Sequence, residues 1–206
     1  MSSQLVQKAE HLRPGDEFRA VAGVYRLLAR LWISEIDLPL LQRLQQADWK
    51  EHFEQAGGYI PERIDEETID QLAIEYCQTF LGPRDHFPPH QSIWMAGTFQ
   101  GDCVASMRNY LDVVGELDGV FADQSLVDHT GVQFAVMGKI CAAAAESNEE
   151  SLLDLLELAQ GFFQDHLQWI IRYCHVAQTR VASRFYQAIL RMTAEFLQQE
   201  SASRLT

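Results

Sequence analysis

Residues 128–145 read DHTGVQFAVMGKICAAAA, and this stretch decides the fold. At 3.6 residues per turn Val132, Val136 and Ile140 share one face, while Phe134, Met137, Cys141 and Ala144 share another. A helix that is apolar all round has no side to give to water, so it belongs at the centre of a bundle. Asp128 stands where an N-cap would, just before the first apolar turn.

The flanking segments carry the same period. Ser147-Asn148-Glu149-Glu150 has the form of a capping box and opens a leucine-rich segment from Leu152 to Phe163. A last helix carries Phe185, Ile189, Met192 and Phe196. Toward the amino terminus, a helix through Cys103 to Val114 leads into a loop from Gly115 to Val127. Asp65, with Glu66 and Glu67 complementing the dipole, opens a helix bearing Ile69, Leu72, Ala73, Tyr76 and Phe80, which Gly82-Pro83 ends. Pro14-Gly15-Asp16 reads as a turn with an N-cap ahead of Phe18, Val21, Tyr25, Leu28 and Trp32. Short helical segments at Leu38 to Leu44 and Trp49 to Phe53 follow, closed by Gly57-Gly58 and Pro61. No run of alternating β-branched residues suggests a sheet, and no internal repeat appears. The predicted fold class is all-α, a single globular helical bundle over residues 1–206.

Composition narrows the function. Net charge is -13, and a nucleic-acid partner needs clustered lysine and arginine, so none is expected. The acid is unevenly placed: from Asp102 to Asp165 there are 12 acidic and two basic residues, a field that would steer a basic partner toward the middle of the chain. A solvated face that aids solubility accounts for the same pattern. The start, MSSQLVQKAEHLRPG, has no apolar core after a basic beginning, and no uncharged run approaches a membrane span, so neither export nor membrane insertion is expected. Cys77, Cys103, Cys141 and Cys174 are widely spaced without a C-x-x-C pair and read as reduced cytoplasmic thiols.

The residues with chemical potential each have a structural reading as well. Residues 82–92, GPRDHFPPHQS, hold three of the six prolines and form an extended connector, the natural hinge or binding loop. His86 and His90 have a metal-ligand spacing only if helical, which the prolines oppose, and Asp85 would complete such a site. Tyr76 and Phe80 sit on an apolar stripe and pack in the core, or floor a groove walled by Pro89, Ser92 and Trp94. Cys174-His175 reads as a buried cysteine beside a histidine that points elsewhere. Ser92 lacks the G-x-S-x-G context of a nucleophile, and no G-x-x-x-x-G-K loop signals a nucleotide or pterin cofactor. A small helical metal-dependent hydrolase using Asp128, His129 and one of His86, His90, His166 or His175 is the alternative from a different class. An interaction module unrelated to export is a third.

Two ordered motifs carry a resemblance. Glu75-Tyr76-Cys77-Gln78-Thr79-Phe80-Leu81-Gly82-Pro83 leads to Pro88-Pro89-His90-Gln91-Ser92-Ile93-Trp94, and Asp128-His129 follows at the head of the buried helix. Together with Gly101-Asp102, the stretch from His166 to Trp169 and Phe185-Tyr186, they resemble the TorD/DmsD/NarJ family of redox-enzyme maturation chaperones from about residue 15 to 198. The family commonly has an aromatic residue and then Glu before the loop Ser, where this chain has His90 and Gln91. The resemblance implies an all-helical cytoplasmic chaperone with no enzymatic activity. It would bind the twin-arginine leader of a molybdoenzyme apoprotein through Tyr76, Phe80, Pro89, Ser92, Trp94, Gly101, Asp128 and His129. It also implies a family in which segments are sometimes exchanged between protomers of a homodimer.

Overall fold

The computed structural model describes residues 14–82, 86–121 and 127–204, all in helices and the turns that join them. Helix α1 (Pro14–Ile33) starts with proline at its first position, where the missing N–H costs nothing. The expected turn at Pro14-Gly15-Asp16 is therefore already helix, and Asp16 pairs with Arg19 one turn on. Asp37 caps α2 (Leu38–Leu44) by accepting from Leu40 N at 2.9 Å, and α3 (Ala47–Gln55) follows. Asp65 caps α4 (Glu66–Tyr76) as the sequence predicts, through Thr68 N at 3.0 Å.

α4 runs into a wide i→i+5 turn, Cys77–Leu81, before Gly82. Helices α5 (Gln91–Ala96) and α6 (Asp102–Val114) and a 3-10 turn (Gly119–Phe121) lead to α7 (Thr130–Glu146). α8 (Glu149–Phe162) passes through a second wide turn, Phe163–Leu167, into α9 (Gln168–Ala177), and α10 (Arg184–Arg204) ends the described chain. Other sequence expectations change as well. Gln91 to Ala96 is a helix rather than part of an extended loop. Ser147 donates back to Ala144 O, and Asn148 rather than Ser147 caps α8 through Ser151 N. Neither wide turn was anticipated.

α7 occupies the centre, as its composition demands: Val132, Phe134, Val136, Met137 and Ile140 are all at most 1% exposed although they point in several directions. α1 packs along α7 more extensively than any other described pair of helices, with α9 against α10 as the next such contact. The approach is close because Gly131 lets it be: a Cβ there would lie 2.9 Å from the Ile33 backbone. Around α7 a cluster of rings fills the interior, including Trp32, Tyr76, Phe80, Tyr173 and Tyr186. Burying each such side chain contributes about 1.5–3 kcal/mol. Among the described residues no helix is long and apolar enough to cross a membrane.

Candidate leader-binding site

The head of α7 meets the end of the proline-rich connector. Thr130 N and Oγ1 both donate to Pro89 O, at 2.8 and 3.0 Å, and Gln91 N donates to Asp128 O at 3.2 Å, so an isolated antiparallel bridge joins His90 to His129. Phe87 is held from both sides, its N–H donating to Thr79 O and its carbonyl accepting from Tyr173 Oη at 2.5 Å. Residues 87–92 are thereby pinned to the body. Asp85 and Pro83 lie outside the described residues.

Asp128 does not cap its own helix. His129 does, its Nδ1 accepting from Gly131 N at 3.0 Å, which places the ring proton on Nε2. The Asp128 carboxylate, fully buried, reaches instead to the first turn of α5: Oδ2 accepts from Ser92 N at 2.7 Å, and Oδ1 faces His90 Nδ1 at 3.4 Å. Burial alone would raise this carboxyl, but the hydrogen bonds from His90 and Ser92 outweigh it and hold it down at about 2. Burial, with the neighbouring His90 adding to it, pushes His129 the other way, to about 3, so the imidazole is neutral at physiological pH.

Behind this pair lies a second polar layer that sequence reading missed. Gln91 Oε1 accepts from Gln133 Nε2 at 2.7 Å and from His166 Nδ1 at 2.8 Å, while Gln91 Nε2 donates to Asp165 O at 2.6 Å. His166 Nε2 then accepts from Ser106 Oγ at 2.9 Å, and Trp169 Nε1 donates to both Gln133 Oε1 and His166 O. Burial lowers His166 to about 4, so it is neutral at physiological pH, with Nδ1–H as donor and Nε2 as acceptor. Gln133 in an otherwise apolar helix was the available signal: a buried amide demands partners. Gln91, read as a departure from the family pattern, is the residue that ties α5, α7 and the turn at Phe163–Leu167 together.

The eight sequence-predicted residues fall into separate environments. Pro89, Ser92, Asp128 and His129 meet at the head of α7, all of them buried. Gly101 lines a small hollow with Asp128 and Phe99 on the α6 side. Trp94 packs edge-on against Phe87 and Tyr173. Phe80 is 2% exposed within the ring cluster, against Trp32, Tyr76 and Tyr186. Tyr76 donates to Trp32 O at 3.0 Å, and burial pushes its hydroxyl pKa up.

Tyr76 also borders the cleft of most chemical interest, a groove of about 680 Å³ between the end of α1 and α4, with His90 and His129 on its wall. Ile33, Ile69 and Leu81 supply apolar surface, and Glu35, Asp37 and Asp70 supply charge. Asp37 pairs with Arg30 at 2.5 Å, and Glu35 accepts from the Cys77 thiol at 2.8 Å, a bond that raises the thiol pKa. None of these three carboxylates lies in the acidic stretch from Asp102 to Asp165. Among the described residues no three His, Cys, Asp or Glu side chains are grouped as a metal would require. His86 and His175 are exposed, and Cys174 is fully buried with its thiol pKa raised by burial.

The sequence profile of the nitrate reductase delta subunit matches residues 42–175, which spans the connector, both motifs and the polar network. The chaperone protein TorD of Shewanella loihica is 26% identical over 198 residues, covering 85% of this chain and 88% of that protein. No solved structure matches the chain. With about two thirds of its length under one family profile, this all-helical chain belongs to the nitrate reductase delta subunit family, the NarJ/TorD group.

Proposed function

We propose that the chain is a redox-enzyme maturation chaperone of the cytoplasm that binds the twin-arginine leader of a molybdoenzyme apoprotein, keeps it from export until the cofactor is inserted, and catalyses no reaction. The observation that carries this reading is the groove beside His129. Its apolar floor suits the leader's hydrophobic segment, and Glu35, Asp37 and Asp70 suit the guanidinium groups. The TorD relative is named as a chaperone, which agrees with a binding rather than a catalytic role.

Within this reading Asp128 is a positioning residue. Its carboxylate is spent on Ser92 N and His90, so it sets the angle at which the connector and His90 face the groove. His129, with Nδ1 held by Gly131, presents Nε2–H as a fixed donor. Titration calorimetry with a synthetic twin-arginine leader peptide tests the function. Binding at micromolar affinity, about 8 kcal/mol, and its loss when both arginines become glutamine are expected. Absence of binding to leaders from several molybdoenzymes overturns it.

A further inference from the structure

The groove beside His129 is one of two along α1. A second groove of about 500 Å³ lies between α1, α3 and α10, its apolar lining including Val24, Leu27, Trp49, Phe53 and Phe196, with Glu195 its one carboxylate. Gly23, Leu27 and Arg30 follow one another on α1 at intervals of four and three, which keeps them on one face, and Ser34 stands just past the helix end. The first two line the apolar groove and the last two line the acid-rimmed one. We infer that the two grooves are one site, in which the apolar segment of a leader lies along α1 over Gly23 while its arginines reach Asp37 and Asp70.

This rests on the leader-binding reading and adds the register of the peptide. Gly23 to Ser34 spans about 16 Å at 1.5 Å per residue. The apolar segment of an export leader, about 7–15 residues long, covers about 10–22 Å as a helix. Direction follows from charge: Glu35, Asp37 and Asp70, three of the four carboxylates that line the two grooves, gather at the C-terminal end of α1, where the helix dipole also favours cations, so the leader runs antiparallel to α1. Arg30, paired with Asp37 at the junction, occupies the place an incoming arginine takes.

Gly23 is the independent sign. It sits in the interior of a 20-residue helix, where glycine is a poor helix former, yet a Cβ there would meet nothing within 4 Å. Packing does not require a glycine at this position. A peptide passing close over α1 would use the space that it leaves.

The probe is a synthetic peptide with two adjacent arginines followed by a Leu/Ala-rich segment, titrated into the full chain and into Gly23→Leu and Val24→Asp. Val24 is 39% exposed, so its replacement leaves the fold intact and backs up the glycine variant. The expected result is a tenfold or greater loss of affinity in both variants, with circular dichroism unchanged. A blue shift of Trp49 fluorescence on binding should disappear in the same variants. If the peptide binds the unaltered protein and both variants equally, the shared site is overturned while leader binding stands. If no peptide binds the unaltered protein, both fall. If Gly23→Leu instead abolishes self-association in sedimentation without changing peptide affinity, the apolar groove is a contact between copies and the inference is overturned.

Discussion

The carboxylate of Asp128 caps a helix that is not its own, taking the N–H of Ser92, 36 residues earlier in the chain, at 2.7 Å. One buried charge therefore locks the connector to the central helix. Removing that charge tests the lock. Asp128→Asn keeps the shape and loses the charge-assisted bond, and should cost about 1–2 kcal/mol in urea unfolding at pH 7.

Acid should reveal the same group. The Asp128 carboxyl is held down at about 2 in the folded chain against 3.8 for an ordinary aspartate. Its contribution is complete above the unfolded value, near pH 4, and is lost as pH falls through about 2. Between those limits the unaltered protein should lose about 2 kcal/mol more than Asp128→Asn, measured by denaturant midpoints at each pH.

The buried histidines act at milder pH. His129 and His166 are lowered to about 3 and about 4 from 6.5, so below 6.5 the unfolded chain binds protons that the folded chain refuses. Stability should fall by about 1.4 kcal/mol per pH unit for each histidine as pH drops from 6.5 toward 4. His166→Gln should remove one proton's worth of that slope, read from unfolding free energies at pH 6 and pH 5.

Two glycines of α7 separate close approach from ordinary packing. Gly131→Ala forces a Cβ to 2.9 Å from the Ile33 backbone, so α1 and α7 must part, at about 2 kcal/mol or more. Gly138→Ala meets Arg26 and Tyr25 side-chain carbons at 3.4 Å and should be near neutral, since the gain in helix propensity offsets a small adjustment. Thermal unfolding of the two variants side by side provides the check.

Gln133 should behave as part of a unit. Gln133→Leu leaves Gln91 short of one donor and Trp169 of one acceptor, at about 1–3 kcal/mol. Combined with His166→Gln, the losses should be less than additive by about 0.5–3 kcal/mol, because both variants break the bonds around Gln91 Oε1. A double-mutant cycle in urea measures this.

The bundle was legible because its signals are local. The all-round apolar face of residues 130–146, the Asp65 cap and the glycine breaks each act within a few residues, and each lies where the sequence places it. The site was legible only in part, because its geometry comes from distant pairings. Asp128 looks like an N-cap and is one, but for the helix at Ser92. Asp37 and Asp70 carry no motif and become neighbours of His129 only after α1, α4 and α7 assemble. Tyr76 illustrates the middle case: its stripe announced burial, and the groove at its edge needed the fold.

The wide turn at Phe163–Leu167 is what a single inserted residue does to an α-helix. Without it, α8 and α9 would run on as one rod, rotated so that His166 and Trp169 no longer faced Gln91 and Gln133 together. The whole polar lattice beneath the Asp128 pair thus hangs on one extra residue. A one-residue deletion there would be compatible with a folded bundle yet would leave the central helix with an amide that nothing answers. A length change too small to alter the architecture decides whether the head of α7 is merely packed or held in register.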